Sequence, residues 1–185
     1  MGKTKNIILA VFVLFSLFIT FIYLRKPNSN SPLPVQIRNM MIITSPAFKQ
    51  NEVIPKQYSC DGEDVNPPLT IVNIPNNAKS LVLIVDDPDA PAGVWTHWLV
   101  WNIDPKTTEI KENSTSVNAV VGKNDFGKLE YGGPCPPGGT HRYFFKVYAL
   151  DMVLDLPQGA NRSQLNQAME SHIINKRELM GTYSK

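Results

Sequence analysis

Apolar positions along this chain follow three different patterns. Residues 7–24 (IILAVFVLFSLFITFIYL) form an unbroken run of 18 residues without a charge. Further on, short apolar runs alternate with proline and glycine. Residues 81–85 (LVLIV) and 98–101 (WLVW) are continuous and apolar, the pattern of buried strands. Residues 143–150 (YFFKVYAL) are aromatic and β-branched, with Lys146 as the one charge; residues 70–74 and 117–121 are weaker strand candidates. Asn66-Pro67-Pro68, the stretch 87–93 and the stretch 132–139 punctuate them. From Ser163 onward the period changes. Leu165, Met169, His172 and Ile173 recur at helical spacing, with Ser163 as a candidate N-cap and Gly181 as a candidate stop. Strands first and a helix last predict a mainly β (α+β) domain: an antiparallel sheet or sandwich with a helix packed on one side, not a βαβ array.

The run 7–24 has Lys3 and Lys5 before it and Arg25 and Lys26 after it. It is long enough to cross a hydrocarbon core, which takes roughly 17–25 residues. A signal peptide has a shorter apolar region, about 7–15 residues, ending at small side chains. This run ends in Phe21, Ile22, Tyr23 and Leu24. The pattern therefore predicts an uncleaved transmembrane anchor over 1–26, a Pro/Asn/Ser-rich linker over 27–40 and a globular domain over 41–185. Two cations on each side leave the orientation open.

Charge divides at the same point. Residues 1–40 hold five of the 18 Lys and Arg and no acid, leaving 13 basic against 16 acidic side chains in the domain. A weakly acidic domain without a basic stripe predicts no nucleic-acid partner. Cys60 and Cys135 lack zinc-finger spacing. They read as a disulfide in an oxidising compartment or as two buried thiols in a reducing one. An anchor and a cysteine pair together favour the disulfide, and a single-pass membrane protein with its domain outside the cytosol.

Three loops combine constrained backbone with titratable groups. Asp86-Asp87-Pro88-Asp89-Ala90-Pro91 follows the LVLIV run and crowds three carboxylates into a turn. A solvated turn is the plain reading of such a segment. Trp95-Thr96-His97-Trp98 opens the WLVW run, and a packed ring is the plain reading of its histidine. Residues 131–143 (YGGPCPPGGTHRY) place four glycines and three prolines ahead of His141, Arg142 and Tyr143. Glycine lets a ligand approach the backbone, and His and Tyr donors suit an oxyanion. Two of the three histidines thus sit at strand edges beside Pro/Gly loops; His172 reads as packing on the terminal helix.

The ordered set DPDAP (87–91), His97-Trp98 and GPCPPGGTHRY (133–143) resembles the signature of the phosphatidylethanolamine-binding protein family. Ser59-Cys60-Asp61-Gly62-Glu63-Asp64, Asn66-Pro67-Pro68-Leu69 and Asn124-Asp125-Phe126-Gly127 are similar to motifs of its bacterial and archaeal, Raf kinase inhibitor-like branch. The resemblance covers about residues 41–183. It implies a large antiparallel sheet packed on a smaller one with helices near the C-terminus. It implies an anion pocket formed by Asp87, His97, His141 and Tyr143, with Trp95 and Cys135-Pro136-Pro137 as walls. A Cys60–Cys135 disulfide would sit at the rim. Arg142, next along the strand from His141, should face away, and an ion pair with Asp89 is expected.

The expected function is a membrane-anchored binding module, not an enzyme, that takes phosphate or a phosphate-bearing small molecule or lipid head group and needs no cofactor. Relatives that regulate kinases or inhibit serine proteases extend this to a protein target. The competing class is a metal-dependent hydrolase using His97, His141, Asp87 and Asp89 as ligands. No G-x-S-x-G elbow supports a covalent hydrolase. A third class keeps the fold as an interaction surface without the pocket.

Overall fold

Strand β3 (Ser80–Asp87) is buried along its whole length, and the rest of the fold is arranged around it. The computed structural model describes residues 40–185. Among them β3 lies at the centre of a five-stranded antiparallel sheet in the order β6-β4-β3-β7-β8. The other strands of that sheet are β4 (Trp95–Ile103), β6 (Val120–Val121), β7 (Thr140–Leu150) and β8 (Ile173–Ser184). A smaller antiparallel sheet orders β1 (Ile42–Thr44), β2 (Leu69–Val72) and β5 (Glu109–Ile110). One face of the large sheet sends Leu81, Leu83, Val85, Val100 and Phe145 into a core shared with Ile43, Leu69 and Ile71. The other face sends Val82, Ile84, Leu99 and Trp101 against Leu165 and Met169 of helix α1 (Arg162–Met169). A strand covered on both faces has no solvated side to give to polar residues. That is why LVLIV reads as a continuous apolar run.

The mainly β class with two antiparallel sheets and a helix near the C-terminus is as expected. The end of the chain differs in detail. Helix α1 is capped by Asn161, whose side chain accepts from the Gln164 amide while the Gln164 side chain accepts from the Asn161 amide. Ser163, the expected cap, lies inside the helix. The helix stops at Met169, and Ile173–Ser184 forms β8, paired with β7 over eleven partnered positions. His172 lies outside the helix, and its Nδ1 is 2.9 Å from Asp151 Oδ1. Gly181, expected as a helix stop, is a strand residue. A Cβ there would press on Ile54 and Phe48. The open edge of β7 supplies ladder hydrogen bonds that outweigh weak helical periodicity, as tertiary context commonly does.

The single-pass membrane localisation is corrected. Among the described residues the longest helix has eight residues, and none is long and apolar enough to cross a membrane. The run 7–24 behind that expectation, and the linker up to residue 39, lie outside the described residues.

Candidate functional site

Three segments meet at one end of the large sheet. The C-terminal end of β3 supplies Asp87, the start of β4 supplies Trp95 and His97, and the start of β7 supplies His141 and Tyr143. Antiparallel pairing puts these ends side by side: Asp87 opposes Trp95, and Asp86 opposes Phe144. The β3–β4 register passes from Asp86↔Thr96 to Val85↔Trp98, so His97 is the extra residue of an irregularity. Such a bulge re-aims a side chain. Here it directs His97 to the same side as Asp87 while Trp98 still enters the core.

These residues line a cavity of about 240 Å³ together with Ala90, Ala92, Phe126, Cys135 and Pro137. Of the expected site residues, Asp87, Trp95, His97, His141 and Tyr143 converge there. Pro136 is buried and does not line it; Cys135 and Pro137 provide that wall. Two larger hollows, about 450 and 630 Å³, contain none of these residues.

The site is held by committed hydrogen bonds. His97 is 3 % exposed, and its Nδ1 lies 2.6 Å from the Gly132 carbonyl. A carbonyl only accepts, so Nδ1 carries the hydrogen and Nε2 remains for a ligand. His141 Nδ1 lies 2.7 Å from Asp87 Oδ2, which fixes that ring the same way. Asp87 Oδ1 accepts from the Asp89 amide at 2.8 Å, so both carboxylate oxygens are engaged. Burial pushes the His97 pKa below its usual value, opposed in part by the Gly132 carbonyl and the Asp87 charge. Burial likewise pushes the Tyr143 hydroxyl up, with Asp87 adding to the effect. Tyr143 therefore stays a neutral donor at ordinary pH.

Two donors in this wall are unsatisfied. The Tyr143 hydroxyl and the Trp95 indole N–H have no hydrogen-bond partner among the described residues. Asp87 and the Cys135 amide lie near enough to bear on Tyr143's ionisation, but neither reaches it with hydrogen-bond geometry. A buried donor without a partner costs roughly 1–3 kcal/mol.

The surrounding loops are tied down. Gly133 donates to Asp64 Oδ1 at 2.6 Å, the Cys60 amide donates to the Pro134 carbonyl at 3.1 Å, and the Tyr131 hydroxyl donates to the Tyr58 carbonyl at 3.0 Å. A Cβ on Gly133 would collide with the Tyr58 carbonyl, so only glycine lets these segments close. Cys60 and Cys135 form a disulfide, with Cα atoms 5.4 Å apart. Arg142 faces away from the cavity and holds Asp89 with two side-chain contacts, Nε–Oδ2 at 2.9 Å and Nη2–Oδ1 at 2.6 Å. Those hydrogen bonds bring the Asp89 pKa down to about 2. Both the disulfide and this ion pair are as expected from the sequence.

Phe126 was not among the expected site residues, although its motif was. Its ring stands edge-on to His97 and Trp95, with centroids 5.2 and 5.5 Å away. The loop before it is clamped to β4: Thr96 donates to Asp125 Oδ2 at 2.6 Å, and Asp125 donates to the Thr96 carbonyl at 3.0 Å. A lone exposed Phe in a glycine-bearing turn is the signal that could have found it.

Residues 44–184 match the family described as phosphatidylethanolamine-binding protein, and the chain belongs to that family. A UPF0098 protein of Pyrococcus horikoshii is 50% identical over 155 residues, 79% of this chain and 78% of that one. A UPF0098 protein of Methanothermobacter thermautotrophicus is 48% identical over 150 residues, 78% of this chain and 99% of its own. Among solved structures, a phosphatidylethanolamine-binding protein homologue from Chlamydia trachomatis superposes with a TM-score of 0.77 at 47% identity, over 80% of this chain and 99% of that one. The Escherichia coli protein YbcL does so with a TM-score of 0.74 at 30% identity, over 78% and 98%. These relatives place the chain in the bacterial and archaeal branch of the family.

Proposed function

We infer that this chain is a binding module for a small oxyanion, phosphate or a phosphate-bearing head group, and that it regulates another protein rather than catalysing a reaction. The unsatisfied Tyr143 hydroxyl carries the reading. It lies in a cavity with the unsatisfied Trp95 N–H and with two histidines whose Nδ1 atoms are already engaged. A phosphate offers acceptor oxygens to the Tyr143 and Trp95 donors and, as the monoanion, a P–OH that can donate to a bare histidine Nε2. A metal-hydrolase reading draws less support. Among the described residues no three His, Cys, Asp or Glu side chains are arranged around a common point. A kinase or protease target is the natural extension, since relatives of this family act on such enzymes.

The test is calorimetric titration of the full chain with inorganic phosphate and phosphorylethanolamine at pH 6 and pH 8, beside His97→Ala. Saturable binding at pH 6 that the variant loses is expected. A folded protein that binds neither ligand at either pH would overturn the reading.

A further inference from the structure

Resting on the anion-pocket reading, we propose that the Cys60–Cys135 disulfide is a redox switch for this cavity: the oxidised chain holds in place the wall that meets the anion, and reduction by a dithiol releases that wall and weakens binding.

The cavity is built from strand ends and one loop, and the two are not equally held. Asp87, His97, His141 and Tyr143 stand on β3, β4 and β7, whose ladder fixes them whatever the state of the cysteines. The wall made by Cys135 and Pro137 stands on the segment 135–139. Just before it, Gly133 is tied to Asp64, and the Pro134 carbonyl to the Cys60 amide. Just after it, β7 begins at Thr140. Between those points the backbone of 135–139 makes no backbone–backbone hydrogen bond among the described residues. Gly138 and Gly139 stand free, since a Cβ on either would meet no atom within 4 Å. Pro136 is buried, but Cys135 and Pro137 on either side of it are exposed. The covalent link to Cys60 is therefore what fixes Cys135 in the wall. The Cys135 amide, which lies close to the Tyr143 hydroxyl, is placed by the same link.

The link is also open to exchange. Cys135 is exposed and Cys60 half-buried, so an incoming thiolate reaches the Cys135 sulfur first. Lys185 Nζ lies 3.8 Å from that sulfur, and a cation there favours the approach of a thiolate. Attack forms a mixed disulfide at Cys135 and expels Cys60 as a thiolate, which takes up a proton. The second thiol of the reductant then attacks the reductant's own sulfur in the mixed disulfide. Cys135 leaves as a thiol, and the dithiol closes into its own disulfide, so two electrons and two protons have passed to the cysteines. Once freed, a segment with two consecutive glycines has many placements open to it. The anion then binds only the fraction of molecules whose wall is in place, and the apparent dissociation constant rises in inverse proportion to that fraction.

Calorimetric titration of the full chain with inorganic phosphate at pH 6 tests this in three states: oxidised, reduced beforehand with dithiothreitol until both thiols titrate, and reoxidised. Binding on the order of tenfold weaker in the reduced chain is expected where about a tenth of the molecules keep the wall in place, with recovery on reoxidation. Cys60→Ser breaks the link but leaves the Cys135 sulfur in the wall. It should bind as weakly as the reduced chain and ignore dithiothreitol. Near-ultraviolet circular dichroism, recorded alongside, should show the sheet core intact in every state. A loss of affinity that comes only with loss of that signal would mean general unfolding and overturn the proposal. So would Cys60→Ser binding as tightly as the oxidised parent. Equal affinity in the oxidised and reduced chains would remove the switch and leave the anion-pocket reading standing, whereas an oxidised chain that takes no phosphate would sink that reading and the switch with it.

Discussion

His97 can present a proton to a ligand only as an imidazolium, because its Nδ1–H is spent on the Gly132 carbonyl. Burial lowers its pKa, so the free protein keeps the ring neutral, with a bare Nε2 at neutral pH. A bound phosphate must then share one proton with Nε2. Either the monoanion donates its P–OH, or the dianion accepts from an imidazolium; both microstates hold the same number of protons. Affinity for inorganic phosphate should therefore fall by about tenfold per pH unit above the pH at which it becomes a dianion. Sulfate, a dianion throughout, should bind only where His97 can be protonated, and so should weaken at lower pH than phosphate does. Parallel titrations of both anions from pH 5 to 8 check this, and affinity that is flat with pH would count against the shared proton. Asp89 gives a stability prediction with a definite sign. Its folded pKa, about 2, lies below the usual carboxylate value of 3.8. Its contribution is therefore full above about pH 4 and disappears as pH falls through 2. The difference in melting temperature between the parent and Asp89→Asn should stay constant from pH 7 to 4 and shrink below that.

Strand β3 connects two environments within adjacent residues. Asp87 serves the cavity, while the Asp86 side chain points to the opposite face. It is fully buried there, between Lys146 Nζ at 2.6 and 2.7 Å and the Arg162 guanidinium at 3.0 Å. Arg162 opens helix α1, so this carboxylate pins the helix to the sheet beneath the site. Asp86→Asn would leave two cations facing a neutral amide. Both cations are partly exposed, which predicts a loss near the low end of the range for a broken buried pair, about 3 kcal/mol, read from urea unfolding. Arg162→Ala should cost less, because Lys146 still answers the charge. The apolar runs at 81–85, 98–101 and 143–150 made the three central strands readable in the sequence, since burial on two faces leaves an unmistakable composition. The short strands β1 and β5 left no such mark. Their two or three residues are too few for a period to show. Strand β8 was hidden differently: it follows directly on a helical period that runs to Ile173, and its pairing depends on the edge of β7.

Across the whole molecule, the disulfide ties the turn after Tyr58 to the loop that delivers His141, closing a separation of 75 residues. Loop-closure entropy predicts a contribution of roughly 4 kcal/mol. Reduction should therefore lower the melting temperature by roughly 10 °C for a domain of this size. An unchanged melting curve under dithiothreitol, with free thiols titrated, would show that the hydrogen bonds of Gly133 and Cys60 hold the loops unaided. By itself the sequence determined the class of fold and pointed to the Arg142–Asp89 pair, and the family resemblance of its motifs implied five residues that line the cavity. Each follows from local composition, from strand alternation or from a motif contiguous in the chain. The tertiary structure alone decided that a register irregularity turns His97 inward, that Phe126 walls the cavity, that Pro136 does not line it, and that Asp86 pins the helix. These depend on partners brought together from far along the chain, Asp86 and Arg162 being 76 residues apart, and no local pattern encodes such a meeting.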